Sequence, residues 1–227
     1  MTLLLSSEDL LLLRQSLNDW GKCHFRSFPW RESSNPYHIL LAEVFLHRTQ
    51  VSQVERVYRH FVQRYPQPVD LLNADAQESR NVLFALGLHW RVDLLMNMVR
   101  EIQEKYAGQV PRDRQVLLTL PGVSDYIAGA VRCFAWNEPE VLLDTNTVRI
   151  VGRLLGWKVK DSSRRNARFR LALETLLDRE HPRTFNYALL DLAHLVCLKR
   201  QPPLCEECPL KHWCQFKNHR QEQRILL

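Results

Sequence analysis

The sequence predicts an all-α protein of two helical lobes, and three observations carry that expectation. Glycine is scarce, with 7 in 227 residues, so the backbone has few points of free conformation. No stretch sustains the alternation of β-branched and polar residues that a half-buried strand needs. Apolar residues make up 45% of the chain and recur at three- and four-residue spacing, as in helices that bury one face.

Ser6 and Asp9 have the form of a capping box, which opens a first helix running to about Trp20. Asn35-Pro36 opens a second, because proline is preorganised for the first helical position; Tyr37, Leu40, Leu41, Val44 and Phe45 fall on one of its faces. Residues 51–65 form a third. Residues 90–106 place Trp90, Leu94, Leu95, Met98, Val99 and Ile102 at helical spacing. Further helices are expected over 124–136 and 146–155, then over about 163–179 and 184–196. Pro66, Pro68, Gly108, Pro111, Pro139, Pro182 and Pro202-Pro203 punctuate the joins. No repeat, low-complexity tract or long linker interrupts the pattern. Residues 24–134 are read as a barrel-like helical domain, and residues 1–23 with 135–227 as a second helical domain.

The net charge of +6 and pI of about 9.1 suit a polyanionic partner without requiring one. The amino-terminal MTLLLSSEDLLLLRQ breaks its leucines with Ser6, Ser7, Glu8 and Asp9, unlike a secretory signal. No segment reaches the ~20 apolar residues that span a bilayer. A soluble, cytoplasmic protein in a reducing environment is expected. Cys23 and Cys133 stand alone and are read as packed thiols.

The other four cysteines, Cys197, Cys205, Cys208 and Cys214, form the pattern C-x7-C-x2-C-x5-C within LVCLKRQPPLCEECPLKHWC. Four thiolates this close suit one metal centre, either zinc or an iron–sulfur cluster. Structural zinc sites usually pair two C-x2-C knuckles, so the single knuckle with looser flanks favours a cubane. Lys199, Arg200, Lys211, His212 and Lys217 surround the cysteines, and read equally as a rim for phosphates or as a solvated loop.

Upstream, Leu120-Pro121-Gly122-Val123-Ser124 joins one helix to the next. Gly122 permits a tight turn, and the following helix start offers backbone N–H groups to a phosphate. Such a hairpin holds DNA without reading its sequence.

Together with Phe28-Pro29-Trp30-Arg31, Pro36-Tyr37, the run Glu43 to Val51, Leu86-Gly87-Leu88, Leu143-Asp144-Thr145-Asn146 and the four cysteines, this hairpin resembles the helix-hairpin-helix DNA glycosylases of the endonuclease III and MutY superfamily. The resemblance covers nearly the whole chain. It implies a helix-hairpin-helix motif, a carboxy-terminal [4Fe–4S] cluster loop on the four cysteines, and base excision from double-stranded DNA by a monomer associated with the nucleoid. Asp144 matches the family's essential aspartate, which stabilises the positive charge that builds on the sugar as the glycosidic bond breaks; its structural alternative is a helix N-cap. Tyr126 stands where strand-nicking members carry lysine, and a phenol forms no Schiff base, so a monofunctional enzyme is implied. Glu43 interrupts an apolar run, where burial raises a carboxyl pKa and suits it to proton donation. Arg48 and Leu88 match residues that fill the space left by a flipped base, and Gln50, Gly122 and Ser124 are taken as further DNA contacts. Ser124 departs from the family's G-V-G, and the first cysteine gap is seven residues rather than six. The combination of Glu43, Tyr126 and Asp144 resembles the mismatch-specific thymine-DNA glycosylases, which act on T or U opposite G. Adenine excision opposite G or 8-oxoguanine is the alternative.

Overall fold

The computed structural model describes residues 5–47, 49–84 and 92–218. Among them every regular element is helical. The chain divides into two compact units, one of residues 1–26 with 139–227 and one of residues 27–138. The sequence boundaries at 23/24 and 134/135 fall three and four residues before these.

The second unit holds α2 (Pro36–Leu46), α3 (Val51–Arg64), α4 (Pro68–Asn73), α5 (Ala76–Phe84), α6 (Val92–Tyr106), α7 (Arg114–Thr119) and α8 (Asp125–Trp136). Asn35 caps α2 by accepting the N–H groups of Tyr37 and His38 at 2.9 and 3.4 Å. The single apolar face expected for α2 is too narrow a reading. Ile39 through Phe45 are all buried, because α2 packs against α3, α8 and the 3-10 turn Pro29–Arg31. A helix enclosed in this way is apolar all round, and Glu43 is the exception within it. The centre of α8 is likewise buried from Ile127 to Val131, and its small residues Ala128, Gly129 and Ala130 let a neighbouring helix approach closely.

The first unit is built on α1 (Ser7–His24), α9 (Thr145–Leu154), α10 (Ala167–Leu176) and α11 (Pro182–Leu195). The Ser6–Asp9 capping box is present, with Asp9 N–H donating to Ser6 Oγ at 3.0 Å and Ser6 N–H donating to Asp9 Oδ2 at 3.1 Å. Its helix runs past Trp20 to His24. Leu13 and Leu17 of α1 enter a core shared with Val148, Val151, Leu173, Leu189 and Leu192. Gly21 sets the contact of α1 with α11, since a Cβ there would lie 2.6 Å from Ala188 Cβ. Asp191, fully buried, accepts from the Arg26 backbone N–H and Nε at 3.1 and 2.8 Å.

Three short helices, α4, α5 and α7, were not foreseen; at 6, 9 and 6 residues they offer too little periodicity to read. The helix expected from 163 begins at Ala167, behind the 3-10 turn Asp161–Arg165. Asn166 takes the Arg168 N–H at 2.8 Å and so sets the helix start. Cys133 is buried as expected, whereas Cys23 is exposed, because it falls on the outward side of the last turn of α1. Among the described residues no helix is long and apolar enough to cross a membrane.

Candidate active site

Asp144 is the N-cap of α9. Its Oδ1 accepts the backbone N–H groups of Asn146 and Thr147, each at 2.8 Å, and its Oδ2 accepts the Asn146 side-chain amide at 2.8 Å. Thr147 returns the bond, its Oγ1 accepting the Asp144 N–H at 2.9 Å while donating to the Leu142 carbonyl at 2.8 Å. The capping role weighed against catalysis is thus real. It is also what holds a half-buried carboxylate in one orientation at the positive end of a helix.

A chain of polar contacts leads away from it. Arg149 Nη1 donates to Asn146 Oδ1 at 3.1 Å, its Nη2 to the Ala193 carbonyl at 2.7 Å and its Nε to the Cys197 carbonyl at 2.9 Å. Burial lowers the Arg149 guanidinium below its ordinary value, with the charges of Cys197 and Asp144 pulling the other way. One turn on, Arg153 Nη1 donates to Cys197 Sγ at 3.2 Å and to the Leu198 carbonyl at 2.8 Å. Sequence reasoning missed Asn146, Arg149 and Arg153. The available signal was their spacing of three and four, which puts them on one face of a helix that starts at Asp144.

All four clustered cysteines are free thiols and line one recess of about 410 Å³ including the part open to solvent, with Arg153, Pro203 and Leu210 also in its wall. The seven-residue gap is folded back by the Leu204 N–H, which donates to the Val196 carbonyl at 3.0 Å and brings Cys205 towards Cys197. Burial pushes the Cys208 thiol up to about 12 and moves Cys214 in the same direction, with the neighbouring cysteine charges adding to both. Among the described residues no three His, Cys, Asp or Glu side chains converge closely enough to hold a single metal ion. Of the surrounding basic residues, Lys211 and Lys217 are spent inside the loop, on the Glu206 carbonyl at 2.8 Å and on Glu206 Oε2 at 3.1 Å. Lys199, Arg200 and His212 are exposed. Trp213 Nε1 donates to Asp9 Oδ1 at 3.0 Å and ties the loop to the cap of α1.

In the other unit, α7 and α8 form the hairpin. The Val123 N–H donates to the Leu120 carbonyl at 3.1 Å across the turn, and Gly122 takes φ +79°. Space is not what requires glycine there, since a Cβ would meet nothing nearer than Leu94 Cβ at 3.6 Å; the left-handed backbone is. Ser124 lies at φ −87° and ψ 168°, an ordinary extended conformation, so the serine in place of the second glycine adds no backbone strain. Its hydroxyl accepts the Ile127 N–H at 3.2 Å and caps α8.

Tyr126 sits half-buried in the first turn of α8, which packs against α2, and Glu43 of α2 is 8% exposed. Glu43 and Asp191 are the buried carboxylates among the described residues. Asp191 is matched by Arg26. Gln50 is exposed and ends at the N-cap of α3, where its carbonyl takes the Gln53 and Val54 N–H groups at 3.0 and 3.2 Å and its side chain makes no capping bond. Arg48 and Leu88 lie outside the described residues.

The profile described as HhH-GPD superfamily base excision DNA repair protein matches residues 41–174. The chain is 37% identical over 212 residues to a thymine-DNA glycosylase of Aeropyrum pernix, covering 91% of this chain and 95% of that one. It is 37% identical over 202 residues to a thymine/uracil-DNA glycosylase of Pyrobaculum aerophilum, covering 86% and 87% of the two. Its fold is similar to the solved structure of a thermostable thymine-DNA glycosylase, with a TM-score of 0.86 and 29% identity, over 92% of this chain and 97% of that one.

Proposed function

Because the chain belongs to the HhH-GPD superfamily of base excision DNA repair proteins, we propose that it is a monofunctional DNA glycosylase that hydrolyses the N-glycosidic bond of thymine or uracil opposite guanine. The observation that carries the reading is the carboxylate of Asp144, held by two backbone amides and the Asn146 side chain. The names of the Aeropyrum and Pyrobaculum relatives support thymine and uracil as the bases.

Breaking the bond leaves positive charge on C1′ of the sugar, and a carboxylate placed beforehand stabilises that charge without reorganising. Asp144 fills this role and orients the attacking water. Glu43, buried in α2, is the proton donor to the departing base. Tyr126 lines the same unit with a hydroxyl instead of an amine, so no Schiff base forms and the product is an abasic site. Gly122 and Ser124 present the start of α8 to a phosphate, Gln50 adds a contact, and Arg48 and Leu88 fill the duplex when the base is flipped. The protein acts as a monomer.

Cys197, Cys205, Cys208 and Cys214 fit a [4Fe–4S] cluster, since a cubane takes four thiolates arranged around it rather than converging on a point, and the four line one recess whose Arg153 donates to a ligand sulfur. When bound, the cluster cross-links the loop between Cys197 and Cys214.

The test uses end-labelled duplexes carrying G·T, G·U, A·G or A·8-oxoguanine, read with and without hot alkali. Alkali-dependent cleavage at G·T and G·U is expected. Cleavage confined to the adenine mispairs moves the protein to the adenine glycosylases, and cleavage without alkali overturns the role given to Tyr126.

A further inference from the structure

A broad groove runs along α9 in the first unit, enclosing about 1560 Å³ including the part open to solvent. Thr145, Val148, Arg149, Gly152 and Arg153 of the helix that begins beside Asp144 line it, with Gly156 just past the helix end. Arg149, Arg153, Lys158, Lys160, Arg164 and Lys199 line it, and Asp161, bound to Arg164 at 2.8 Å, is the carboxylate among its described lining residues. Arg149 and Arg153 direct their guanidinium groups at backbone carbonyls, at Asn146 Oδ1 and at a sulfur, and Arg149 also feels the charge of Asp144. Lys158, Lys160 and Lys199 are exposed. In its wall, Trp157 carries the Arg168 guanidinium 3.7 Å from its ring centroid and meets the perpendicular ring of Phe169.

We infer that this groove is a channel for the phosphodiester backbone of the DNA beyond the excised nucleotide, separate from the hairpin. This rests on the reading of the chain as a DNA-acting enzyme. The concentration of positive charge selects a polyanion, and the position selects which one. A strand whose sugar lies at Asp144 enters the groove at Thr145. The ten residues of α9 span about 15 Å at 1.5 Å per residue, long enough to run beside more than one phosphate. Lys158, Lys160 and Lys199 then neutralise phosphates through charge and carry no base specificity.

The test is the salt dependence of duplex binding by the whole protein, followed by fluorescence anisotropy. The variant is Lys158→Gln, Lys160→Gln and Lys199→Gln together. The control removes the same charge from Lys22, Lys105 and Arg179, which are exposed and paired with Asp19, Glu101 and Glu174. Each phosphate contact contributes about 0.9 to the slope of log K against log salt, so the groove variant is expected to lower the slope by about 2 to 3 and the control to leave it in place. Equal slopes for variant and wild type overturn the inference, as does an equal loss in the control, which would assign the effect to net charge. Should the triple variant melt early, K160Q alone, with an expected loss of about 1 in slope, carries the test. Base release is a separate readout: a protein that binds with the expected slopes but excises nothing removes the proposed activity and leaves the groove.

Discussion

Replacing Asp144 by asparagine separates its two roles. As an N-cap, asparagine is about as good as aspartate, because its side-chain oxygen accepts the same backbone amides. The bonds from the Asn146 and Thr147 N–H groups therefore survive. The one lost is that from Asn146 Nδ2 to Oδ2, now 2.8 Å long, which would face an amide donor instead. Asn146 cannot turn over without giving up its contact with Arg149 Nη1. One such bond is worth about 1 kcal/mol, equivalent to a fall in melting temperature of roughly 2–4 °C for a chain of this size. Asp144→Ala, by contrast, removes the cap entirely and costs about 1–2 kcal/mol. The catalytic loss is of another order: removing one placed electrostatic stabiliser costs on the order of 10²–10³ in rate. Single-turnover base release from G·T duplex, quenched in alkali and paired with thermal melts, reads both quantities. An Asp144→Asn protein with near-native melting and base release within a few-fold of wild type would refute the catalytic assignment and leave Asp144 a cap. Equal losses of activity in the asparagine and alanine variants, at unequal stability, are what the argument expects.

Tyr126→Lys supplies the amine that the first turn of α8 lacks, and is expected to yield a covalent complex with DNA on borohydride reduction, seen as a shifted band; wild type should give none. Arg149→Leu strands the carbonyls of Ala193 and Cys197 and the side chain of Asn146. A stability loss of about 2–3 kcal/mol is expected, with weaker visible absorption from the proposed cluster, measured by melting and by spectroscopy of the purified protein. Asp9 is held below the ordinary carboxylate value by the Ser6 hydroxyl first and then by Trp213 Nε1–H. Its contribution is therefore complete above the ordinary value and is lost as pH falls through the lowered one. Tryptophan emission should change on acidification below about pH 4, and Asp9→Asn should remove that transition.

Helix starts were legible where a short polar side chain competes for the first amides. Ser6, Asn35, Ser124 and the Asp144 region each mark a helix within a residue of its start, since capping is a contact between residues two or three apart. The four cysteines were legible as a group for a similar reason, their crowding in sequence leaving little freedom to be apart in space. Reading α2 as one-faced failed because enclosure by α3 and α8 depends on segments distant along the chain. The short helices α4 and α7 escaped notice because six residues do not complete two turns.

By itself the sequence determined the helical class, the starts of the capped helices and the grouping of the four cysteines along the chain, because each follows from residue type and local spacing. Only tertiary structure decided that Arg149 joins the Asp144–Asn146 pair to the carbonyls of Ala193 and Cys197, and that a basic groove lies along α9. The two bonds from Arg149 to those carbonyls join residues 44 and 48 positions apart along the chain, and a hydrogen bond, which weakens steeply beyond about 3.2 Å, forms between them only where packing of α9 on α11 has brought the backbones together.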